Sequence, residues 1–337
     1  MLSSTQSRFS GKRLLVLSVL LFTVVFTYTT IAQEMGAIRK SVEYSFPEKI
    51  QKLVLDPLPA GTYSIGTGGD FPTIDSAFNK LSIDGIAGEV ILELIDSLYT
   101  APSVQFGYLL NGPIPGAGPN SKVTIKPAEN KNVTIEGNSE VLLYLINTSY
   151  VTFDGIGLTG ATTLTIHTLE NLSYIFNDPL NFINNSDHNI IQNITFIVAY
   201  TRNSGAGFWF NQTGSFAPDS NLIQNNFVKQ AGLGLFIANS SSAVKGKGNI
   251  IRGNLIGSET DSLIGLGIQL EYTINTIVEN NIVQNLRYSG NPIANLTTGI
   301  SSYGDEECII RNNIVHNIDA KNNPVGGGCR NIISSRR

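Results

Sequence analysis

The feature that most restricts how this chain can fold is a short phrase repeated along its second half. Asn189-Ile190-Ile191-Gln192-Asn193, Asn221-Leu222-Ile223-Gln224-Asn225-Asn226, Asn249-Ile250-Ile251-Arg252-Gly253-Asn254, Asn275-Thr276-Ile277-Val278-Glu279-Asn280-Asn281 and Cys308-Ile309-Ile310-Arg311-Asn312-Asn313 each read as a strand running into asparagine. A partial copy opens at Asn331-Ile332-Ile333. With the second apolar residue as marker, positions 191, 223, 251, 278, 310 and 333 lie 32, 28, 27, 32 and 23 residues apart. Spacing of this order belongs to solenoids, in which equivalent positions of successive turns stack into rows.

Each repeat also holds a strand opened by glycine: Gly207-Phe208-Trp209-Phe210, Gly234-Leu235-Phe236-Ile237, Gly267-Ile268-Gln269-Leu270 and Gly299-Ile300-Ser301-Ser302. Two or three short strands per repeat with polar turns and no helical pattern exclude leucine-rich and helical solenoids. The expectation is an all-β chain folded as a right-handed single-stranded parallel β-helix, each strand bonding to its equivalent one turn on at roughly 4.8 Å. Seven or eight such turns make a rod on the order of 35–40 Å.

One helix is expected, at the N-terminal end. Ile74, Ala77, Phe78 and Leu81 fall at helical spacing, after a glycine-rich turn from Gly66 to Asp70 and before Gly85. The segments Glu89-Val90-Ile91-Leu92-Glu93-Leu94 and Lys122-Val123-Thr124-Ile125 read as strands on either side of a Gly/Pro loop over residues 111 to 120.

Residues 1–32 read as a signal peptide: Arg8, Lys12 and Arg13, an apolar run over residues 14 to 28, then Thr30-Ile31-Ala32. The run is short for a spanning helix, so no membrane span is expected after cleavage. Residues 33–59 form an irregular leader, 60–120 the cap and first turns, and 121–337 the repeats. Because Asn331-Ile332-Ile333 opens a further turn close to the last residue, a longer parent protein or a lost cap is expected. A net charge of −4, pI near 5.5 and only 14% charged residues give no reason to expect a nucleic-acid partner. Cys308 and Cys329 are too few for a disulfide scaffold, although export permits them to pair.

The stretch Gly68-Gly69-Asp70-Phe71-Pro72-Thr73-Ile74-Asp75-Ser76-Ala77 resembles the Gly-Asp-Phe/Tyr-x-Thr-Ile-x-x-Ala opening of pectin-lyase-like right-handed β-helix proteins, where it leads into the helix that plugs the N-terminal end. Ser149-Tyr150-Val151-Thr152-Phe153-Asp154-Gly155-Ile156 and the Asn-Ile-Ile-x-Asn-Asn repeats are similar to the same superfamily, above all to large secreted β-helix proteins of Bacteroidetes-type bacteria. The resemblance spans about residues 60 to 333. It implies the fold and a secreted or cell-surface location. The lyase, hydrolase and esterase motifs of that superfamily have no local match here.

The rows carry the candidate chemistry. One residue after the marker, Gln192, Gln224, Arg252, Glu279 and Arg311 face outward, the last three alternating in sign. Two and three residues after it come asparagines suited to left-handed corners and amide ladders. Four residues before it the row is Asp187, Asp219, Lys247, Ile274 and Glu306. With Asp305 and Glu307 beside it, this row offers oxygen ligands for Ca²⁺; its plainer reading is turn chemistry, and otherwise no cofactor is implied. His167, His188 and His316 share no row and read as surface or turn residues.

In the glycine-opened strands, alternation turns Trp209, Phe236, Gln269 and Ser301 outward. Apolar rings followed by an amide and a hydroxyl make a composition that fits a sugar chain; the plainer reading is that a loop over residues 211 to 220 covers Trp209. The sequence therefore leaves two functions open. One is a secreted, non-catalytic surface protein that binds glycans or adheres. The alternative is a polysaccharide lyase or glycoside hydrolase acting on an acidic or plant-type polysaccharide.

Overall fold

A computed structural model describes residues 55–102, 106–139, 141–156, 163–169, 178–183, 185–198, 206–211, 217–231, 233–238, 244–259, 263–264, 266–287 and 298–319. The expected signal peptide and Asn331-Ile332-Ile333 lie outside these residues. Within them the chain is a parallel β-helix with three faces. Strands visit the faces in a fixed order, so that Ile190–Gln192, Ile194–Ile197 and Ala206–Asn211 make one turn, and Leu222–Gln224, Phe227–Gln230 and Leu233–Ala238 the next. The first and second faces are nine-stranded sheets and the third is seven-stranded, and every pairing of named strands is parallel. The repeat is thus three strands long.

The marker row holds. Ile191, Ile223, Ile251, Val278 and Ile310 are register partners from turn to turn, and the first four are fully buried. The same column continues backward through Phe153, Ile125 and Leu92. Each buried side chain in it contributes about 1.5–3 kcal/mol of transfer free energy, and none can do so without the turns above and below.

The asparagines divide into two jobs. Asn193, Asn225, Gly253, Asn280 and Asn312 have φ of 59°, 55°, 63°, 55° and 54°, the left-handed bend between the first and second faces. The next residue along, in Asn226, Asn254, Asn281 and Asn313, carries the amide ladder. The Nδ2 groups of Asn226, Asn254 and Asn281 each donate to the Oδ1 of the next member at 2.9–3.1 Å and to a backbone carbonyl of the preceding turn. A second amide stack, of Asn189, Asn221 and Asn249, stands inside the opposite bend of the first face, where Tyr150, His188, Ser220, Gly248, Asn275 and Glu307 take φ between 52° and 65°.

The glycines that open the third-face strands answer to space. A Cβ at Gly267 would lie 2.3 Å from Val283 Cγ1 and 2.4 Å from the Gly299 carbonyl oxygen, and Gly234 and Gly299 are equally hemmed in by Ile256 and Val315. Two turns earlier than the glycine-opened run, Leu142 is fully buried, and a Cβ at Gly137 would lie 2.9 Å from its Cδ1.

Helix α1 (Ile74–Ile83) is capped by Thr73, whose Oγ1 accepts the Ser76 amide at 3.1 Å while Ser76 Oγ accepts the Thr73 amide at 3.1 Å. Ile74, Ala77, Phe78 and Leu81 are its buried stripe, packed beside the strand Phe106–Asn111. The preceding turn is tied by Asp70, whose Oδ2 accepts the Ser64 amide at 2.7 Å and the Ser64 hydroxyl at 2.8 Å.

Candidate functional site

The third face brings the four candidate platform residues into line. Trp209 is the register partner of Phe236, Phe236 of Gln269, and Gln269 of Ser301. The row runs backward through Asn181 and Tyr144 to Leu109. Phe236 sits half-buried between the buried Leu235 and Ile237, so its ring projects from the outer side of the sheet; Gln269 and Ser301 do the same. The side chain of Trp209 lies outside the described positions. Tyr144, half-buried, stacks on Phe106 with centroids 4.5 Å apart and an interplanar angle of 6°.

Two residues further along the strands runs a second outward row, with Ala238, Glu271 and Tyr303 as successive partners. The Gln269 amide nitrogen donates to Glu271, and Gln269 Oε1 is buried with no protein partner. Burial pushes the Glu271 carboxyl up from its ordinary range, the Gln269 bond opposes that, and the Asp305 charge adds to it. Asp305 Oδ1 accepts the Thr273 amide at 2.6 Å and its hydroxyl at 2.8 Å, and Asp305 Oδ2 accepts the Ser302 hydroxyl at 2.6 Å. Tyr303, 61% exposed, meets Tyr272 edge-on at 5.4 Å. Glu271 escaped the sequence reading, yet continuing the alternation from Gln269 by two residues reaches it.

The other candidates are committed to the scaffold. Asp187 Oδ1 accepts the Asp219 amide at 2.7 Å and Asp219 Oδ1 accepts the Lys247 amide at 2.6 Å, one turn on in each case. Desolvation pushes both carboxyls up, Asp187 further by the charge of Asp219; Lys247 offsets this at Asp219. Glu306 is held at 2.6 Å by Lys245. Among the described residues no group of three or more His, Cys, Asp or Glu side chains is placed to hold a metal ion.

The outward row of the first face is a chain of polar contacts. Gln192 donates to Asp154 at 2.6 Å, Gln224 to Gln192 at 2.7 Å and Arg252 to Gln224 at 2.9 Å, and Arg311 pairs with Glu279 at 2.7 Å. Asp154 also accepts from Asn193 Nδ2 and the Ile156 amide, so its oxygens are occupied by three donors. His188 stacks on Tyr150 at 4.9 Å in the corner column, His167 lies half-buried on the second face, and His316 is exposed and partnered in register with Gln284. Cys308 Sγ is 3.3 Å from Thr273 Oγ1, and Cys329 lies outside the described residues.

No protein-family model matches this chain. No curated protein matches it either. Among solved structures it is similar to the pectin methylesterase of Aspergillus niger at 11% identity and a TM-score of 0.36, over 83% of this chain and 92% of that one. No functional residue is carried across from a likeness of that degree. Among the described residues no helix is long and apolar enough to cross a membrane, a statement about helices alone.

Proposed function

We propose that this chain is a secreted or cell-surface β-helix protein that binds a polysaccharide along the outer side of its third face, without turning it over. The observation that supports this most is the unbroken register Trp209, Phe236, Gln269, Ser301. Successive turns one strand spacing apart, roughly 4.8 Å, repeat on nearly the scale of a sugar ring. Aromatic faces serve the apolar side of a pyranose, and amide and hydroxyl groups its oxygens. The protein needs no cofactor for this, and residues 1–32 are read as an export signal.

The alternative, a polysaccharide lyase or glycoside hydrolase, draws support from one feature. Glu271, with its carboxyl raised by burial, feels the charge of Asp305 near the same row, and hydrolysis of glycosides employs two carboxyl groups of unlike acidity. Both oxygens of Asp305 already accept protein donors, which favours a structural part for it. Incubation with neutral and polyuronate polysaccharides, with and without Ca²⁺, separates the two readings. Retention without new reducing ends or unsaturated products supports binding; products from any polymer support the enzyme.

A further inference from the structure

The acceptor groups at the end of the third face bear on which glycan it takes. Building on the glycan-binding reading above, we infer that the platform of Phe236, Gln269, Ser301 and Glu271 selects neutral, hydroxyl-rich polysaccharides and rejects polyuronates. Glu271 lies two residues beyond Gln269 on one strand, so both face outward from the same side of the sheet, and the exposed Tyr303 stands beside Glu271 one turn on. One N–H of the Gln269 amide is spent on Glu271.

A ligand at this place meets the Glu271 carboxylate. Sugar hydroxyls can donate to it; a uronate carboxylate at neutral pH would bring a second negative charge toward it. Cations to offset that charge are missing from the platform itself: among the described side chains of the two outward rows, Leu109, Tyr144, Asn181, Phe236, Gln269 and Ser301 in one and Asn111, Ile146, Glu271 and Tyr303 in the other, there is no Lys or Arg. Lys245, at the turn beyond the face, is held by Glu306 and the Gly304 carbonyl.

The test is affinity electrophoresis of the purified chain at low salt in gels containing hydroxyethylcellulose, xylan, galactomannan or polygalacturonate, for wild type and Glu271→Gln. Wild type should bind at least one neutral polymer about tenfold more tightly than polygalacturonate, and Glu271→Gln should narrow that ratio severalfold. Polygalacturonate binding equal to or tighter than the neutral polymers would overturn the inference and leave glycan binding standing. Retardation by none of the four would instead overturn the glycan-binding reading. An unchanged ratio in a Glu271→Gln protein with the wild-type circular dichroism spectrum would remove Glu271 from the selection.

Discussion

Asn254 and Asn281, one turn apart, are joined twice at one oxygen: the backbone amide and the side-chain Nδ2 of Asn254 both donate to Asn281 Oδ1 at 2.9 Å. Asn254 Oδ1 in turn accepts both from Asn226, and Asn254 Nδ2 reaches the Ile223 carbonyl at 3.0 Å. Asn254 is 1% exposed, so water cannot replace what its amide supplies. Asn254→Ala strands several buried groups at once and is expected to cost about 2–4 kcal/mol in urea unfolding. The neighbouring Asn225 is exposed and serves the bend by its φ of 55°, so Asn225→Gly should be neutral or mildly stabilising. Equal losses for the two would show that the roles are not divided this way.

The opposite corner column holds residues ill suited to it. Ser220 and Glu307 sit at φ of 56° and 52°, where Cβ crowds the following carbonyl. Gly248 occupies the same column with φ 65°. Glu307→Gly should raise stability by up to about 1 kcal/mol, read as a higher urea midpoint at unchanged slope. A lower midpoint would place the strain elsewhere.

Registration can be tested in the core. Ile251 is fully buried between Ile223 and Val278, so Ile251→Asp introduces a charge with no partner and should leave the chain unfolded or aggregated. At Gly267 the obstruction includes a backbone carbonyl, and Gly267→Ala should cost about 1–3 kcal/mol. A soluble Ile251→Asp protein with a native β spectrum would contradict the registration.

Two groups of carboxylates pull the pH profile in opposite senses. Asp187 and Asp219 are raised, so each favours folding most when protonated, and that contribution fades as pH rises from 3.8 through its folded value. Asp70, lowered by its bonds from Ser64, and Asp84, lowered by Lys80, stabilise above 3.8, and their contribution is lost as pH falls through their folded values. Asp219→Asn keeps an oxygen for the Lys247 amide and removes the desolvated charge. The variant should lose part of the decline in stability just above pH 3.8 and be no less stable than wild type at pH 7. A marked loss at pH 7 would mean that the charge itself is needed.

Much of the first face was legible because its three-residue strands recur with the same flanking asparagines, which fixes marker, outward row and bend together. In the earlier turns the strands over residues 89 to 94 and 122 to 125 were legible but their shared column was not, since Leu92, Ile125 and Phe153 carry the core position without those asparagines. The sequence left two or three strands per turn open, because strands such as Thr163–Thr168 and Asn132–Gly137 repeat no phrase and take their place from pairing. For the site, alternation put Phe236, Gln269 and Ser301 in one row. Spacing alone could not say that the oxygens of Asp187 and Asp219 are taken by amides one turn on, nor that Gln269 leans on Glu271. Those depend on side-chain direction between turns.

The central claim is that the Trp209 row holds a polysaccharide, and it meets its most direct test in the retention of wild type and Trp209→Ala on an immobilised glycan that wild type binds. The account predicts at least a tenfold weaker hold for Trp209→Ala, as loss of a stacking ring from a sugar site requires, with an unchanged unfolding midpoint. Equal retention of the two proteins would contradict it.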